Sequence, residues 1–457
     1  MAATFLVVLG GLAYTWCAKK SACMTVNAFI IPDHDVHPVW FPACSTGLLP
    51  VWRPTDLVSR TVPHYLGLAV LLAGLSMVSP FSIDTFFPSF RAMEADLGVS
   101  RWQMQQTLTA YMLPYAVTAL FHGPLSDALG RRPVIIWGMG LYTLGSLACV
   151  FAPNFASLLA FRALQGATAG AGMVVGRAIV RDLYDGPQAQ RLMSLVTLIF
   201  GVAPALAPVI GGWIHVALGW RAVFAFLALF GLVMVIAAHI RLPETHPPEQ
   251  RVPFSLQSLA AGAFRVICDR QFLLLALAAS FNFLGVFCYV GAAPALILDH
   301  WKLSETQFIW LFLPVIAGFT VGAMLSGRLA GRIPAMRQAG IGFALIVTTC
   351  TLRLLLHGLF AEIPIYVQQI ALLLSGIATQ LVFPVLTLRM LDLFPQARGS
   401  AASMQSFVAL TLASLMAGVL VPLAQASLMH LALLSALSVW LGLVFWEIER
   451  RLSGPAV

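Results

Sequence analysis

The sequence predicts an all-α polytopic membrane protein with about twelve transmembrane helices in two six-helix halves. Composition, long apolar runs and short charged connections together predict this class. Of the 457 residues, 60% are hydrophobic and only 10% are charged. A soluble domain carries about 25% charged residues. This chain cannot cover its surface with charge, so its solvent must be lipid.

Twelve apolar runs are long enough to span a bilayer, which takes about 20 residues. Helices are the expected spanning form, because backbone groups in lipid must be satisfied within their own segment. The predicted spans lie near residues 64–90, 103–122, 133–152, 155–180, 192–216, 220–240, 272–299, 307–330, 335–358, 363–391, 400–424 and 428–448.

Residues 1–60 form an N-terminal extension before the first span. The first 17 residues are apolar and Lys19 and Lys20 follow, which is typical of a signal-like segment or an extra span. A dispensable tail or a misassigned start codon is the alternative. The stretch DHDVHP at 33–38 contains metal-ligand residue types, but no further cluster completes a site. We therefore expect a disordered polar tail and no metal.

Two ionisable residues inside predicted spans are the first functional candidates, because charge in lipid is costly and is usually retained for a role. Asp84 lies in the first span and Arg162 in the fourth. At 1.5 Å per residue both lie about 10 Å from the same membrane surface, so they can pair if their helices touch. A carboxyl group there can load and release a proton. A structural buried pair, or a hydrated Asp84, is the alternative.

A short charged turn, GPLSDALGRRP, connects the second and third spans at 123–133. Two arginines alone would fit an ordinary stop-transfer loop. The added glycines and aspartate at this spacing indicate a specific motif. Its residues are Gly123, Asp127, Gly130, Arg131 and Arg132.

The fifth span contains paired prolines and glycines in GVAPALAPVIGGW. Pro204 and Pro208 are expected to bend this helix. Gly211 and Gly212 are expected to let neighbouring helices approach closely. Generic membrane packing is the alternative to a gating role.

The stretch 241–270 is Pro-rich and charged, and it divides the spans six and six. We interpret it as a linker between halves at 61–240 and 271–449, with a short tail at 450–457. The stretch LSDALGRRP, from residue 125, is weakly similar to LSGRLAGRIP, from residue 325. This internal similarity fits two halves that arose by duplication.

Arginines concentrate in the even-numbered connections and the C-terminal tail, which places these on the cytoplasmic side by the positive-inside rule. The net charge is +8, but the arginines are scattered over short loops and form no phosphate footprint. We therefore expect no nucleic-acid partner. Arg353 lies near the opposite end of the ninth span, where we expect it to snorkel to the surface.

A substrate cavity needs apolar surface with sparse polar groups. Tyr111 and Tyr115 are four residues apart and share a helix face. With Gln165, Asn282 and Gln405 they are the candidate cavity residues. Core or lipid-facing packing is the alternative for each aromatic residue.

The chain resembles the major facilitator superfamily, and within it the bacterial Bcr/CflA drug-resistance subfamily. The resemblance lies in SIDTFFPSF, GPLSDALGRRPV, RALQGATAG, RAIVRDLYDG, APALAPVIGGW and RGSAASM. It departs from the usual antiporter pattern at Ala203 and Ala207, where glycine is common, and at Ala128, where a basic residue is common.

This resemblance implies a proton-driven exporter of small hydrophobic or cationic drugs that works by alternating access. Asp84 would be the proton and substrate carboxylate and Arg162 its gating partner. Asp127 and Arg131 would latch the two halves on the cytoplasmic side, near Gly399 and Ser400.

It further implies a bacterial inner-membrane protein with a cytoplasmic C-terminus. The coupling ion would be the proton, with no other cofactor, and the chain would function as a monomer in the lipid bilayer. Transport of a metabolite, such as a sugar, organic acid or amino-acid derivative, is the alternative. A non-transporting sensor or scaffold is a further one. We find no nucleotide loop, nucleophile elbow or zinc motif, so we do not expect an enzyme.

Overall fold

The computed structural model describes residues 58–184, 186–360 and 362–453. The predictions for residues 1–57, including the extra span and the DHDVHP tail, lie outside the described residues. Twelve long helices follow one another along the described chain. They are α1 (Val58–Asp84), α2 (Arg101–Leu129), α3 (Arg131–Val150), α4 (Phe155–Leu183), α5 (Gly186–Leu218), α6 (Trp220–Arg241), α7 (Arg270–Gly291), α8 (Ile309–Leu329), α9 (Ala335–Leu359), α10 (Ile365–Asp392), α11 (Arg398–Leu415) and α12 (Leu428–Leu452).

Each predicted span overlaps one of these helices, and the described residues contain no strand. The predicted all-α polytopic fold is therefore confirmed. Eleven helical stretches are long and apolar enough to cross a membrane. The exception is α2, which has 29 residues but begins with Gln103, Gln105 and Gln106. Gln105 and Gln106 donate to carbonyl groups of the second half, and Gln103 bonds to Ser100 at the start of the helix.

Two short helices interrupt the simple pattern of spans. The segment Phe90–Leu97 continues the direction of α1 after a break, and Leu256–Ile267 lies in the connection between α6 and α7. The second helix begins with Ser255, whose side chain accepts from the Ser258 N–H at 3.2 Å. The sequence had indicated a linker there but not this helix.

In each half of the molecule, glycines allow one pair of helices to pack especially closely. A Cβ atom at Gly166 of α4 would lie within 3.0 Å of the Tyr111 carbonyl oxygen of α2. A Cβ atom at Gly318 of α8 would similarly approach the Leu373 carbonyl oxygen of α10. Only residues without a side chain permit such approaches. The two halves thus use the same close packing between their second and fourth helices.

The bundle has two ends, which we name by their connections. The linker face carries the turn at 130, the connection 242–269 and the connection 393–397. The far face carries the connections at 98–100, 151–154, 292–308 and 425–427. The two halves meet mainly where α2 packs on α11 and where α5 packs on α8.

Candidate transport site

Asp84 lies at a break in the first membrane-spanning segment. The α-helical hydrogen bonding of α1 ends at Asp84, and the chain turns through Thr85 and Phe86 before the 3-10 turn Phe87–Ser89. The Asp84 residue is only 4% exposed. No hydrogen bond or ion pair to its carboxylate is present among the described residues. A buried carboxylate without a partner is costly as an anion, which makes Asp84 a candidate for binding a proton or a cationic group.

Helix α5 packs against the break beside Asp84. A Cβ atom at Gly211 would lie within 3.0 Å of the Thr85 carbonyl oxygen, closer than van der Waals contact allows. A Cβ atom at Gly212 would make the same clash with the Glu305 carbonyl oxygen in the second half. Pro208 lies within α5 one turn earlier. The predicted glycine pair therefore joins the α1 break and the far-face connection of the other half. Its gating role stays a prediction.

Arg162 is fully buried and is held by backbone carbonyls and aromatic rings. Its Nη1 donates to the Ser82 carbonyl at 3.0 Å, and its Nε donates to the Thr107 carbonyl at 3.3 Å. Its guanidinium lies 4.5 Å from the ring centroids of both Phe86 and Tyr111. Such stacking over aromatic faces favours the cation.

The expected ion pair between Asp84 and Arg162 is not formed, although the two side chains do share a depth. Arg162 contacts Ser82 and Phe86, which flank Asp84 along the chain on both sides. Both rings lie against the guanidinium, and its Nε and Nη1 donate to carbonyl oxygens, while its buried Nη2 has no partner among the described residues. Arg162 therefore fixes the chain around Asp84, and the carboxylate itself is left unpaired.

A polar network behind Arg162 was not found from the sequence. Gln165 Oε1 accepts from Arg162 at 2.9 Å, and Gln165 Nε2 donates to Ser146 Oγ at 2.7 Å. The Tyr142 hydroxyl lies 2.6 Å from Ser82 Oγ. Tyr142 and Ser146 are four residues apart in α3, so a search for polar pairs at helical spacing would have identified them.

The five candidate cavity residues do not form one cluster. Tyr111 and Tyr115 share a face as predicted, with ring centroids 6.2 Å apart. However, Tyr111 and Gln165 are fully buried against Arg162 and do not line an open cavity. Their place in a substrate cavity is not supported by this conformation, because the guanidinium occupies the space that they enclose.

The remaining two cavity candidates lie in the second half. Asn282 is 1% exposed and its Nδ2 has no partner among the described residues. Gln405 Nε2 donates to Thr387 Oγ1 at 2.7 Å, which joins α11 to α10. No hydrogen bond between described residues joins this pair to the cluster around Arg162. Of these two residues, Asn282 therefore has a buried donor left free for a ligand.

The charged side chains of the turn on the linker face find their ion-pair and hydrogen-bond partners within the first half. Arg131 forms an ion pair with Asp127 and a second with Asp182 of α4 at 3.1 Å, and it donates to Ser126 Oγ at 2.6 Å. Glu244, after α6, accepts the Arg131 backbone N–H at 3.0 Å.

The motif therefore ties α2, α3, α4 and the linker together. Gly130 has a φ of +99°, and a Cβ atom there would meet the Glu244 carboxylate. Arg132 donates to the His239 carbonyl at 2.7 Å. The expected latch to the second half is not formed by any described ion pair, because Arg131 donates to Asp127, Ser126 and Asp182 within its own half. A Cβ atom added at Gly123 of the motif would lie 4.0 Å from Val174 Cγ1, an ordinary contact distance.

On the far face, a cluster of ion pairs joins the two halves. The sequence analysis did not predict these pairs. Asp299 of the second half accepts hydrogen bonds from both Arg91 and Arg101 of the first half. Partial burial would raise the pKa of the Asp299 carboxyl, but hydrogen bonds and charge from Arg91 and Arg101 hold it below its usual value. Arg91 also donates to the Leu298 carbonyl at 3.0 Å.

Helix α2 adds neutral bonds between the halves just beneath this cluster. Gln105 donates to the Gly291 carbonyl at 3.2 Å, and Gln106 donates to the Gly418 carbonyl at 2.7 Å. All hydrogen bonds described between α1–α6 and α7–α12 lie toward the far face. In the described part of the chain, the polar contacts between the halves thus lie at that end. Apolar contact extends further along α2, where Leu120 packs against the core of the second half.

Comparisons with known proteins agree with this architecture. The family model "Major Facilitator Superfamily" matches residues 72–418. "Uncharacterized MFS-type transporter YdgK" of Bacillus subtilis is 35% identical over 334 residues, covering 71% of this chain and 83% of that protein. "Multidrug resistance protein D" of Escherichia coli is 30% identical over 350 residues, covering 74% and 84%.

A "Bicyclomycin resistance protein homolog" of Haemophilus influenzae is 33% identical over 271 residues, covering 59% of this chain and 68% of that protein. Among solved structures, the human organic anion transporter MFSD10 superposes with a TM-score of 0.57 and 20% identity. It covers 85% of this chain and 98% of its own. At that identity the likeness bears on the fold alone.

Proposed function

This chain belongs to the major facilitator superfamily, and from that premise we propose that it exports small hydrophobic or cationic drugs in exchange for protons. The observation that carries the proposal is the buried, unpaired Asp84 carboxylate at the break in α1. Relatives named for multidrug and bicyclomycin resistance support export of drugs as the substrate class.

The chemistry of exchange follows from a single carboxyl group with two alternative occupants. A proton neutralises the Asp84 carboxylate, and so does a cationic drug held beside it, because either one removes the uncompensated charge from a buried place. Each occupant therefore excludes the other. Competition at one group couples the inward flow of protons to the outward flow of drug.

Arg162 acts in this scheme by positioning. It holds the carbonyl of Ser82 and the ring of Phe86, so the Asp84 side chain keeps its place when its charge changes. Gly211, packed on the Thr85 carbonyl, would transmit movement of that turn to α5. Gly212, packed on Glu305, would transmit it further to the second half.

We propose that the linker face is cytoplasmic, since it carries most of the loop arginines. With the far face fastened, the described conformation suits loading of drug from the cytoplasm. The opposite conformation would need the Asp299 cluster to open and the linker face to close. Asp127, by meeting Gly399 and Ser400 in that conformation, is our candidate for closing it. We further propose a bacterial inner-membrane location and a functional monomer, because both halves are in one chain.

The test is proton flux in everted membrane vesicles energised by respiration, with a fluorescent pH indicator in the lumen. Adding a drug should release protons from the lumen in the wild type and not in Asp84→Asn. The matched control is Asp96→Asn, whose carboxylate pairs with Arg221 on the far face within the first half. Its response should equal that of the wild type.

Two results would overturn parts of the proposal. A drug response that survives Asp84→Asn would keep the exchanger and remove Asp84 as the proton site. No response to any drug in vesicles that contain the protein would favour transport of a metabolite.

A further inference from the structure

Arg353 is a second buried arginine, in the half opposite to Arg162. It lies in α9, six residues before the helix ends at Leu359, about 9 Å from that end. The side chain does not snorkel to the surface as expected, and the residue is only 4% exposed. Its guanidinium instead lies over the Tyr289 ring, 4.3 Å from the centroid. Contact with this ring keeps the side chain inside the bundle.

The unpaired nitrogens of Arg353 point to a missing acceptor. Both Nε and Nη2 are buried without a hydrogen-bond partner among the described residues. These two nitrogens form one edge of the guanidinium, the edge that grips an anion with two parallel N–H donors. The Tyr289 hydroxyl, in a residue only 2% exposed, is a third buried polar group. It lies beside the Arg353 guanidinium and interacts with it, but no hydrogen bond of regular geometry joins them.

No negatively charged partner of Arg353 is present among the described residues. No described carboxylate forms an ion pair with Arg353. The other ionisable groups acting on its neighbourhood are His357, His300 and the Cys288 and Cys350 thiols. Asp299 is next to His300 in the chain, but its carboxylate is occupied by Arg91 and Arg101. No described carboxylate therefore balances the positive charge of the Arg353 guanidinium.

We propose that a small inorganic anion of about the size of chloride binds between Arg353 and Tyr289. The ion accepts from Nε and Nη2 of Arg353 and from the Tyr289 hydroxyl. The near-complete burial of both residues excludes a large organic anion. By joining α7 to α9, the ion stabilises the second half near the far face. This site is independent of the proposed drug and proton exchange, which involves residues of the first half.

The experiment measures chloride binding to the purified full-length protein in detergent, by equilibrium dialysis with radioactive chloride in sodium gluconate of constant ionic strength. We expect one bound ion per chain in the wild type. Thermal unfolding should shift upward when chloride replaces gluconate, because the ion binds only the folded state.

Three variants separate a site from a general salt effect. Arg353→Gln should abolish binding and the thermal shift. Tyr289→Phe keeps the ring and should weaken binding about tenfold, as expected for one hydrogen bond to a charged group. Arg328→Gln removes an exposed arginine of α8 and should change neither measurement.

Absence of bound chloride in the folded wild type would overturn the proposal and would indicate ordered water at these donors. Binding that persists unchanged in both Arg353→Gln and Tyr289→Phe would also overturn it. If Arg353→Gln does not fold, Tyr289→Phe still decides the outcome, since it removes only the hydroxyl group.

Discussion

Neutralising Asp299 should open the far face of the molecule. This one carboxylate accepts from Arg91 and Arg101 across the boundary between the halves. Asp299→Asn removes the negative charge and keeps the shape of the side chain. The cluster holds only the closed conformation together, so its loss should shift the equilibrium toward an open far face.

The size of the shift follows from the exposure of the three side chains. Arg91 and Arg101 are 48% and 40% exposed and Asp299 is 26% exposed, so solvent screens both pairs. Exposed ion pairs contribute about 0.2–1 kcal/mol each. With two pairs on one partly buried acid, we expect about 1–2 kcal/mol. That corresponds to a change of about 5- to 30-fold in the ratio of open to closed molecules.

The assay is a pulsed electron–electron distance measurement between spin labels at exposed Ala95 and Ala426, one in each half on the far face. A cysteine-free background is needed. The longer distance should gain population in Asp299→Asn. Asp96→Asn should not change the distribution, because the Asp96–Arg221 pair at 2.7 Å lies within one half.

An unchanged distribution in Asp299→Asn, together with unchanged distributions in Arg91→Gln and Arg101→Gln, would refute the idea that this cluster holds the halves together. The pH dependence gives a second check. The pKa of Asp299 is lowered in the closed state, so its contribution is complete above the usual carboxyl pKa, about 3.9. The contribution is lost as the pH falls through the lower closed-state value. Between pH 5 and 8, roughly, the distribution should therefore stay constant.

Three further substitutions test buried contacts, two beside the candidate site and one between α10 and α12. Gly211→Ala should destabilise the protein by about 1–3 kcal/mol, because the added methyl group overlaps the Thr85 carbonyl; thermal unfolding measures it, and Gly201→Ala, with open space around it, should have little effect. Arg162→Gln should lower stability by about 2–3 kcal/mol through loss of charged hydrogen bonds to buried carbonyls, and an unchanged melting temperature would contradict that role. Glu449→Gln should weaken its 2.7 Å bond from Arg389 and reduce stability by about 1–2 kcal/mol; Glu447→Gln, which removes the charge from pairs with the exposed Arg450 and Arg451, is the comparison and should have a smaller effect.

Much of the architecture could be predicted from the sequence because lipid imposes a simple rule. A spanning segment must be apolar, helical and about 20 residues long. Among the twelve long helices, α2 alone departs from the pattern of strongly apolar spans, and its Gln105 and Gln106 bond to the second half. The turn motif at 123–133 could also be located, since a cluster of charge and glycine between two apolar runs marks a turn outside the lipid.

The partners of the charged residues could not be predicted in the same way. Depth along a helix follows from counting residues, so Asp84 and Arg162 were correctly placed at one level. Pairing depends on rotation about the helix axis and on which neighbours fill the space. Two aromatic rings and two backbone carbonyls contact the Arg162 guanidinium, and the Asp84 carboxylate is left without a partner.

The sequence by itself determined the all-α membrane fold, the positions of the twelve long helices and the rarity of charge inside the bundle, because these follow from the free energy of each segment in lipid. Only the tertiary structure decided that Arg131 pairs within its half, that Asp299 fastens the far face and that Arg353 is buried with unpaired donors. These outcomes depend on contacts between residues far apart in the chain, where small differences in helix rotation choose among several possible partners.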